Sequence, residues 1–114
     1  MFDIRHGEIS EIEKFQLFNE DNQGDDVVVA VKDGEVVGYM QINEGANDAT
    51  IFFMESEVKG AGSALVDWLK NRCEYIVADN VVDTAEGFYA KLGFARMAGK
   101  SFYSNQFNME WSNE

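Results

Sequence analysis

The chain has no proline, one cysteine and one histidine among its 114 residues. Because Cys73 stands alone, no internal disulfide can form, and a cytoplasmic location is the simplest prediction. A single cysteine and a single histidine also do not supply the usual ligands of a zinc site, so no metal is predicted. Residues 1–6 lack the basic start and apolar stretch of a signal peptide. No uncharged apolar run reaches the about 18 residues of a membrane span.

Basic residues are also scarce, and the charge is uneven. Nine Lys and Arg stand against 21 Asp and Glu, a net charge of −12, and residues 1–57 alone carry −11. Phosphates would be repelled by this acidity, which argues against nucleic acid as a partner. Two interpretations stay open. The acidic surface serves solubility, or it attracts a cationic acceptor.

The composition is that of a folded chain, since 46% of the residues are apolar. Its length predicts a single domain over residues 1–114. Ser10 and Glu13 form a capping-box pattern, and apolar residues follow at helical spacing, so a first helix is expected there. Asp33-Gly34 between two apolar runs predicts a hairpin with a two-residue turn.

After this hairpin, an amphipathic helix with one apolar face joins two strands. Because a helix connects them, the two strands are predicted to be parallel. Asp83–Glu86 reads as a capping box that opens another helix. Residues 94–103 and 106–111 are predicted as a closing hairpin, and the second of these as an edge strand able to pair in a homodimer. The predicted fold is α/β (α+β), with a mixed, mostly antiparallel sheet and the order β-α-β-β-β-α-β-α-β-β.

A glycine-rich turn follows the apolar strand Ile51-Phe52-Phe53. It reads Glu57-Val58-Lys59-Gly60-Ala61-Gly62-Ser63-Ala64 and opens a helix. Glycines let the main chain approach a ligand closely, and the start of a helix favours negative charge. The turn therefore predicts a cradle for a diphosphate, although an ordinary strand-to-helix turn has the same residues.

A second motif, Phe88-Tyr89-Ala90-Lys91-Leu92-Gly93-Phe94, follows the fifth predicted strand. Together with the glycine turn and the element order, it resembles the GCN5-related N-acetyltransferase (GNAT) family over nearly the whole chain. The resemblance implies transfer of an acetyl group from acetyl-CoA, the co-substrate, to an amine. It places Tyr89 near the cofactor sulfur as a proton or hydrogen-bond donor. Glu55, near the end of a strand, is the favoured candidate base. The implied acetyl-CoA-binding residues are Met54, Lys59, Gly60, Ala61, Gly62, Ser63 and Tyr89.

Three features set the chain apart from the family pattern, one of them Val82, which stands where an Asn often precedes the helix of the second motif. Glu57 stands where the family has Gln or Arg, which puts a carboxylate near the diphosphate. Residues 18–25 are too few for the family's second helix, so this helix is predicted to be missing and the acceptor side open. An open groove suits a protein N-terminus, a lysine side chain or a polyamine. The alternative is a GNAT-fold acidic interaction protein without catalysis, of the kind that a phage or mobile element encodes.

Overall fold

The computed structural model describes residues 2–15, 26–97 and 106–113. These residues form a mixed seven-stranded sheet of order β1-β2-β3-β4-β5-β7-β6 with two α-helices. The elements are β1 (Asp3–His6), a 3₁₀ turn (Ile9–Glu11), β2 (Asp26–Lys32), β3 (Glu35–Glu44), β4 (Asp48–Ser56), α1 (Ala61–Lys70), β5 (Tyr75–Val82), α2 (Asp83–Lys91), β6 (Ala95–Arg96) and β7 (Gln106–Ser112).

The central feature of the sheet is its one parallel pair, β4 with β5, as predicted. The two strands pair from Asp48 and Tyr75 as far as Ile51 and Ala78, and then each continues without pairing with the other. Phe52 is an extra residue in β4 relative to β3, and β5 has an irregularity just after Ala78 relative to β7. Because a bulge bends its strand, these irregularities separate β4 from β5. We call the resulting opening the notch.

The sheet has two differently covered faces. Leu65, Val66 and Leu69 of α1 pack on one of them, which we call the helix face, against β-strand residues such as Met40 and Ile51. The other side, the opposite face, has a smaller core in which Tyr39 packs with valines of β2. Side chains of a strand alternate between the two faces. Consecutive residues of β4 beside the notch therefore contribute to different sides of the sheet.

The predicted Asp33-Gly34 hairpin turn is confirmed. Asp33 has φ 52° and Gly34 has φ 82°, and Lys32 pairs with Glu35 across the turn. Both central residues of the tight turn that suits twisted strands need positive φ, which explains the preference for this dipeptide.

The predicted start of the first helix is wrong. A 3₁₀ turn forms over Ile9–Glu11 instead of an α-helix capped by Ser10 and Glu13. Glu11 accounts for the difference, because its carboxylate accepts hydrogen bonds from the Glu8 amide at 3.0 Å and from Arg5 Nη2 at 2.7 Å. Arg5 lowers the pKa of Glu11 to about 2, with a further contribution from the Glu8 hydrogen bond. The rest of this helix, and the missing second helix, fall on residues 16–25, outside the described part.

The prediction that residues 106–111 form an edge strand is also wrong. In the described chain, β7 lies between β5 and β6, and β1 and β6 are the outer strands. Ala95 and Arg96 pair with Glu110 and Met109, as the predicted closing hairpin requires. Most of its first strand, residues 98–103, lies outside the described residues. β6 therefore covers β7 at Met109 and Glu110, on the edge where pairing in a homodimer was predicted.

A pair of glycine substitutions tests the hairpin turn. No atom lies within 4 Å of a Cβ added at Gly34 or at Gly87, but only Gly34 has a positive φ. We expect Gly34→Ala to lower the free energy of unfolding by about 1–2 kcal/mol, because the left-handed conformation is strained for alanine. Gly87→Ala, at an exposed position of α2, should raise the free energy of unfolding by about 0.5–1 kcal/mol. Urea unfolding measures both, and equal effects would contradict this account.

Candidate functional site

The glycine turn begins α1 as predicted. Gly60 precedes the helix with φ 91°, a conformation that other residues rarely adopt, and its carbonyl accepts the first α-helical hydrogen bond, from the Ala64 amide at 3.0 Å. At Gly62 the constraint is space, because an added Cβ would lie 3.1 Å from the Phe88 ring. The small residues therefore keep the start of α1 close to α2.

The amides of the turn are available for a ligand, with one exception. The Ala61 amide donates to the Val58 carbonyl at 3.3 Å. In the described part of the chain, the amides of Lys59, Gly60, Gly62 and Ser63 donate no hydrogen bond. Lys59 and Gly60 are exposed, whereas Ala61 and Gly62 are buried. These N–H groups lie at the positive end of the α1 dipole, which suits an anion.

A cleft of about 190 Å³ lies beside this turn. β4, where it leaves β5, forms one wall, and the starts of α1 and α2 form the other. Its lining residues are Met54, Glu55, Ser56, Gly62, Ala85, Phe88 and Tyr89. Among the residues predicted for the site, the cleft brings together Met54, Glu55, Gly62 and Tyr89. Lys59, Gly60, Ala61 and Ser63 lie in the adjoining turn and do not line it.

Sequence reasoning did not assign Ser56, Ala85 and Phe88 to the site. Ser56 ends β4, two residues after Met54, and both point to the helix face by strand alternation. Phe88 contacts Gly62 and the ring of Tyr89, the centroids of the two rings being 5.1 Å apart. The nearness of Phe88 to Gly62 joins two motifs far apart in sequence, a contact that neither motif indicates alone.

Tyr89 is fixed in α2 with its side chain 7% exposed. Its ring packs against Phe88 and against Phe94, whose centroid lies 5.3 Å away. Burial raises the pKa of Tyr89 to about 12. The hydroxyl is therefore neutral at ordinary pH and can donate a hydrogen bond into the cleft that it lines.

Glu55 approaches the notch from the other side of the sheet. It pairs in register with Tyr39, and Met54 pairs with Met40. Since Met40 belongs to the helix-face core and Tyr39 to the opposite-face core, the Glu55 side chain points to the opposite face. Burial, and then the nearby charge of Glu55, raise the pKa of Tyr39 to about 12. Glu55 and Tyr89 both line the cleft, with the Glu55 side chain directed to the opposite face and Tyr89 contributed by α2.

Glu57 has a compensating cation that the sequence does not reveal. Lys14 Nζ lies 3.3 Å from Glu57 Oε1, and both side chains are about half exposed, at 48% and 47%. The same Nζ donates a hydrogen bond to the Val36 carbonyl at 2.7 Å, which ties Lys14 to the start of β3. The pair reduces the repulsion that Glu57 would exert on a nearby anion. Its partners are 43 positions apart, so no local pattern predicts it.

The described residues hold neither a metal-ligand cluster nor a membrane-spanning helix. No group of three or more His, Cys, Asp or Glu side chains is arranged to hold a metal ion. No helix there has the length and apolarity to cross a membrane.

Comparison with known proteins agrees with this geometry. The family model described as Acetyltransferase (GNAT) domain matches residues 6–110. Ard1 from Thermoplasma volcanium has a similar structure, with 20% identity, a TM-score of 0.72 and 97% of each chain covered. The N-acetyltransferase YlbP of Bacillus subtilis, solved with coenzyme A, has 14% identity and a TM-score of 0.75, with 99% of this chain and 97% of YlbP covered.

PaiA N-acetyltransferase from Thermoplasma acidophilum, also solved with coenzyme A, has 15% identity and a TM-score of 0.72, with 99% of both chains covered. A search of curated protein sequences found no match. The likeness to these structures concerns the fold, and the family model matches the sequence itself over nearly its whole length. The chain therefore belongs to the GNAT acetyltransferase family.

Proposed function

We propose that this protein transfers the acetyl group of acetyl-CoA to an amine of a cationic acceptor. The observation that carries the proposal is that β4, beyond the point where it stops pairing with β5, lines the cleft beside the unbonded amides of the glycine turn. A ligand with a diphosphate at one end and an extended arm at the other fits this arrangement. The family membership supports the same assignment.

The turn fits the diphosphate of acetyl-CoA. Gly60, Gly62 and Ser63 would donate their amides to its oxygens, and Lys59 would add a positive charge. Gly62 lines the cleft, and a Cβ added there would lie 3.1 Å from the Phe88 ring. The absence of a side chain at this position is what lets a ligand approach the main chain closely. The edge of β4 beyond Ile51 is unpaired by β5, so its backbone groups around Met54 can bond the amides of the pantetheine arm. Acetyl-CoA supplies the thioester that reacts.

The proposed chemistry uses the two sides of the notch. The amine nitrogen attacks the thioester carbon, the carbon–sulfur bond breaks, and the sulfur leaves as a thiolate. Glu55, directly or through water, accepts the proton that the amine loses. Tyr89 donates a hydrogen bond to the leaving sulfur. The pKa of Tyr89, about 12, is well above the roughly 8.5 of an ordinary thiol, so hydrogen bonding is favoured over full proton transfer.

The acceptor is proposed to be cationic because the first half of the chain is strongly negative. Residues 1–57, which include Glu55 and most of the opposite face, carry −11. A field of this sign concentrates cations near the notch and disfavours nucleic acid. A cytoplasmic location belongs to the same proposal, supported by the free, buried thiol of Cys73.

The same acidity supports the second candidate, an interaction protein without catalysis. Calorimetric titration of acetyl-CoA into the protein separates the two. Micromolar binding supports the transferase. Absence of heat at millimolar acetyl-CoA would favour the interaction protein, because a catalytic cleft must hold its co-substrate.

The first variant tests the diphosphate cradle. Gly62→Glu should abolish acetyl-CoA binding by calorimetry, because the side chain fills the space next to Phe88 and adds negative charge. Gly87→Glu is the matched control, since it adds the same charge where no atom lies within 4 Å. Circular dichroism checks that both variants fold. Binding that survives in Gly62→Glu would place acetyl-CoA elsewhere.

The second variant tests the hydroxyl of Tyr89. Tyr89→Phe should lower kcat about 10²-fold or more, with the Kd of acetyl-CoA nearly unchanged, because the hydrogen bond acts mainly on the developing thiolate. Tyr75→Phe makes the same chemical change on β5 at the end remote from the cleft, and it should leave kcat as it is. Unchanged turnover in Tyr89→Phe would remove this hydroxyl from the mechanism.

The third experiment tests the ion pair of Glu57. We expect Lys14→Met to weaken acetyl-CoA binding about two- to fivefold at low salt, and Glu57→Gln to strengthen it by a similar factor. Both effects should shrink at high salt, since the pair is exposed to solvent. The double variant should bind like the wild type, because it removes one charge of each sign. Equal Kd values for all four proteins would show that Glu57 does not influence the cofactor.

A further inference from the structure

Within the described part of the chain, three buried side-chain atoms on the opposite face have no hydrogen-bond partner. They are the side-chain Oε1 and Nε2 of Gln41 and the hydroxyl of Tyr39, and both residues are 0% exposed. Buried polar groups in native proteins are almost always paired, so each exception requires an explanation. Gln41 is also the one buried polar or charged residue of the described part. Burying an unpaired carboxamide among valine and phenylalanine side chains costs free energy, which suggests that a ligand pairs with it.

These atoms lie next to the proposed reaction site. In the β3–β4 register, Tyr39 is opposite Glu55 and Gln41 is opposite Phe53. Paired residues of an antiparallel sheet point to the same face, with Cα atoms about 4.5–5.5 Å apart. Gln41 lies two residues, or about 7 Å, further along the strand than Tyr39. A molecule held at Glu55 and extending along this face therefore meets Tyr39 first and Gln41 next.

The donors and acceptors that Gln41 leaves unpaired indicate which class of acetyl acceptor fits this face. A carboxamide offers one acceptor and two donors, and its natural complement is another amide. An extended peptide residue presents its own N–H and carbonyl on the same edge of the chain, and this pair can satisfy Oε1 and Nε2 together. A polyamine has only donors when charged, so it would leave Nε2 unpaired. The peptide groups of a lysine residue are separated from its amine by four methylenes, whereas an α-amine is next to the first peptide group.

We propose that Gln41 and Tyr39 form a subsite for the backbone of the acceptor, and that the acceptor is a peptide or protein with a free α-amino group. This inference rests on the proposed function. With the α-amine at Glu55, the Tyr39 hydroxyl bonds the first peptide group, and the Gln41 carboxamide bonds the N–H and carbonyl of a following extended residue. Phe15 packs against Tyr39, with the two ring centroids 4.9 Å apart, and must move to admit the acceptor.

An acceptor comparison with the full chain tests the substrate class. The three acceptors are a peptide with a free α-amine and no lysine, the same peptide with a blocked N-terminus and one internal lysine, and spermidine. We expect the first to have a kcat/KM at least about 10-fold above the other two. Turnover of lysine or spermidine at an equal or higher rate would overturn the subsite proposal alone. Absence of turnover with all three would overturn the proposed function as well.

The variant Gln41→Met tests the residue itself. It should raise the KM of the α-amine peptide about 10-fold, the expected loss of two hydrogen bonds, while the KM of acetyl-CoA stays the same. Its melting temperature should rise, because the variant removes two unpaired buried atoms at similar volume.

A rise in melting temperature with an unchanged peptide KM would show that Gln41 is only a packing defect, and the proposal would be wrong. Tyr39→Phe removes a single hydroxyl and tests the same subsite should Gln41→Met fail to fold. It should raise the peptide KM by a smaller factor of about three, with the acetyl-CoA KM again the same. An unchanged peptide KM in this variant would equally count against the subsite.

Discussion

The separation of β4 from β5 is the constraint on which the other features of the site depend. The two parallel strands pair only as far as Ile51 and Ala78, and the irregularities that follow in both strands bend them apart. A continuous sheet would keep the two faces of the molecule separate. Ending the pairing at this point leaves the edge of β4 beyond Ile51 unpaired with β5, beside the cleft that Met54 and Ser56 line.

The alternation of β4 then assigns different residues to the two sides of the opening. Met54 and Ser56 point toward α1 and α2, where the glycine turn and Tyr89 lie, whereas Glu55 points toward Tyr39. In the proposed reaction, the donor of the acetyl group approaches from the helix face and the acceptor from the opposite face. A one-residue shift of β4 would exchange these directions and remove Glu55 from the acceptor side.

Local signals in the sequence predicted much of this architecture. Asp33-Gly34 specified its turn because the required positive φ values are a property of those two residues. The order of strands and helices likewise follows from periodicity. The first helix was misplaced because the Arg5–Glu11 contact, rather than the Ser10 pattern, fixes residues 8–11. The Lys14–Glu57 pair and the burial of Gln41 were not foreseen, since both depend on which distant segments the fold brings together.

The polar groups that lack protein partners are exposed to water to different degrees on the two faces of the sheet. On the helix face, Lys59 and Gly60 are exposed to solvent, so water can satisfy their amides in the absence of an anion and the empty site costs little. On the opposite face, the unpaired atoms of Gln41 and Tyr39 are excluded from water and destabilise the fold by about 1–3 kcal/mol each. An apolar residue at position 41 would avoid this cost. In the proposed acceptor subsite, the carboxamide contributes to binding at a cost in stability, as expected where a functional site works against the packing of its own core.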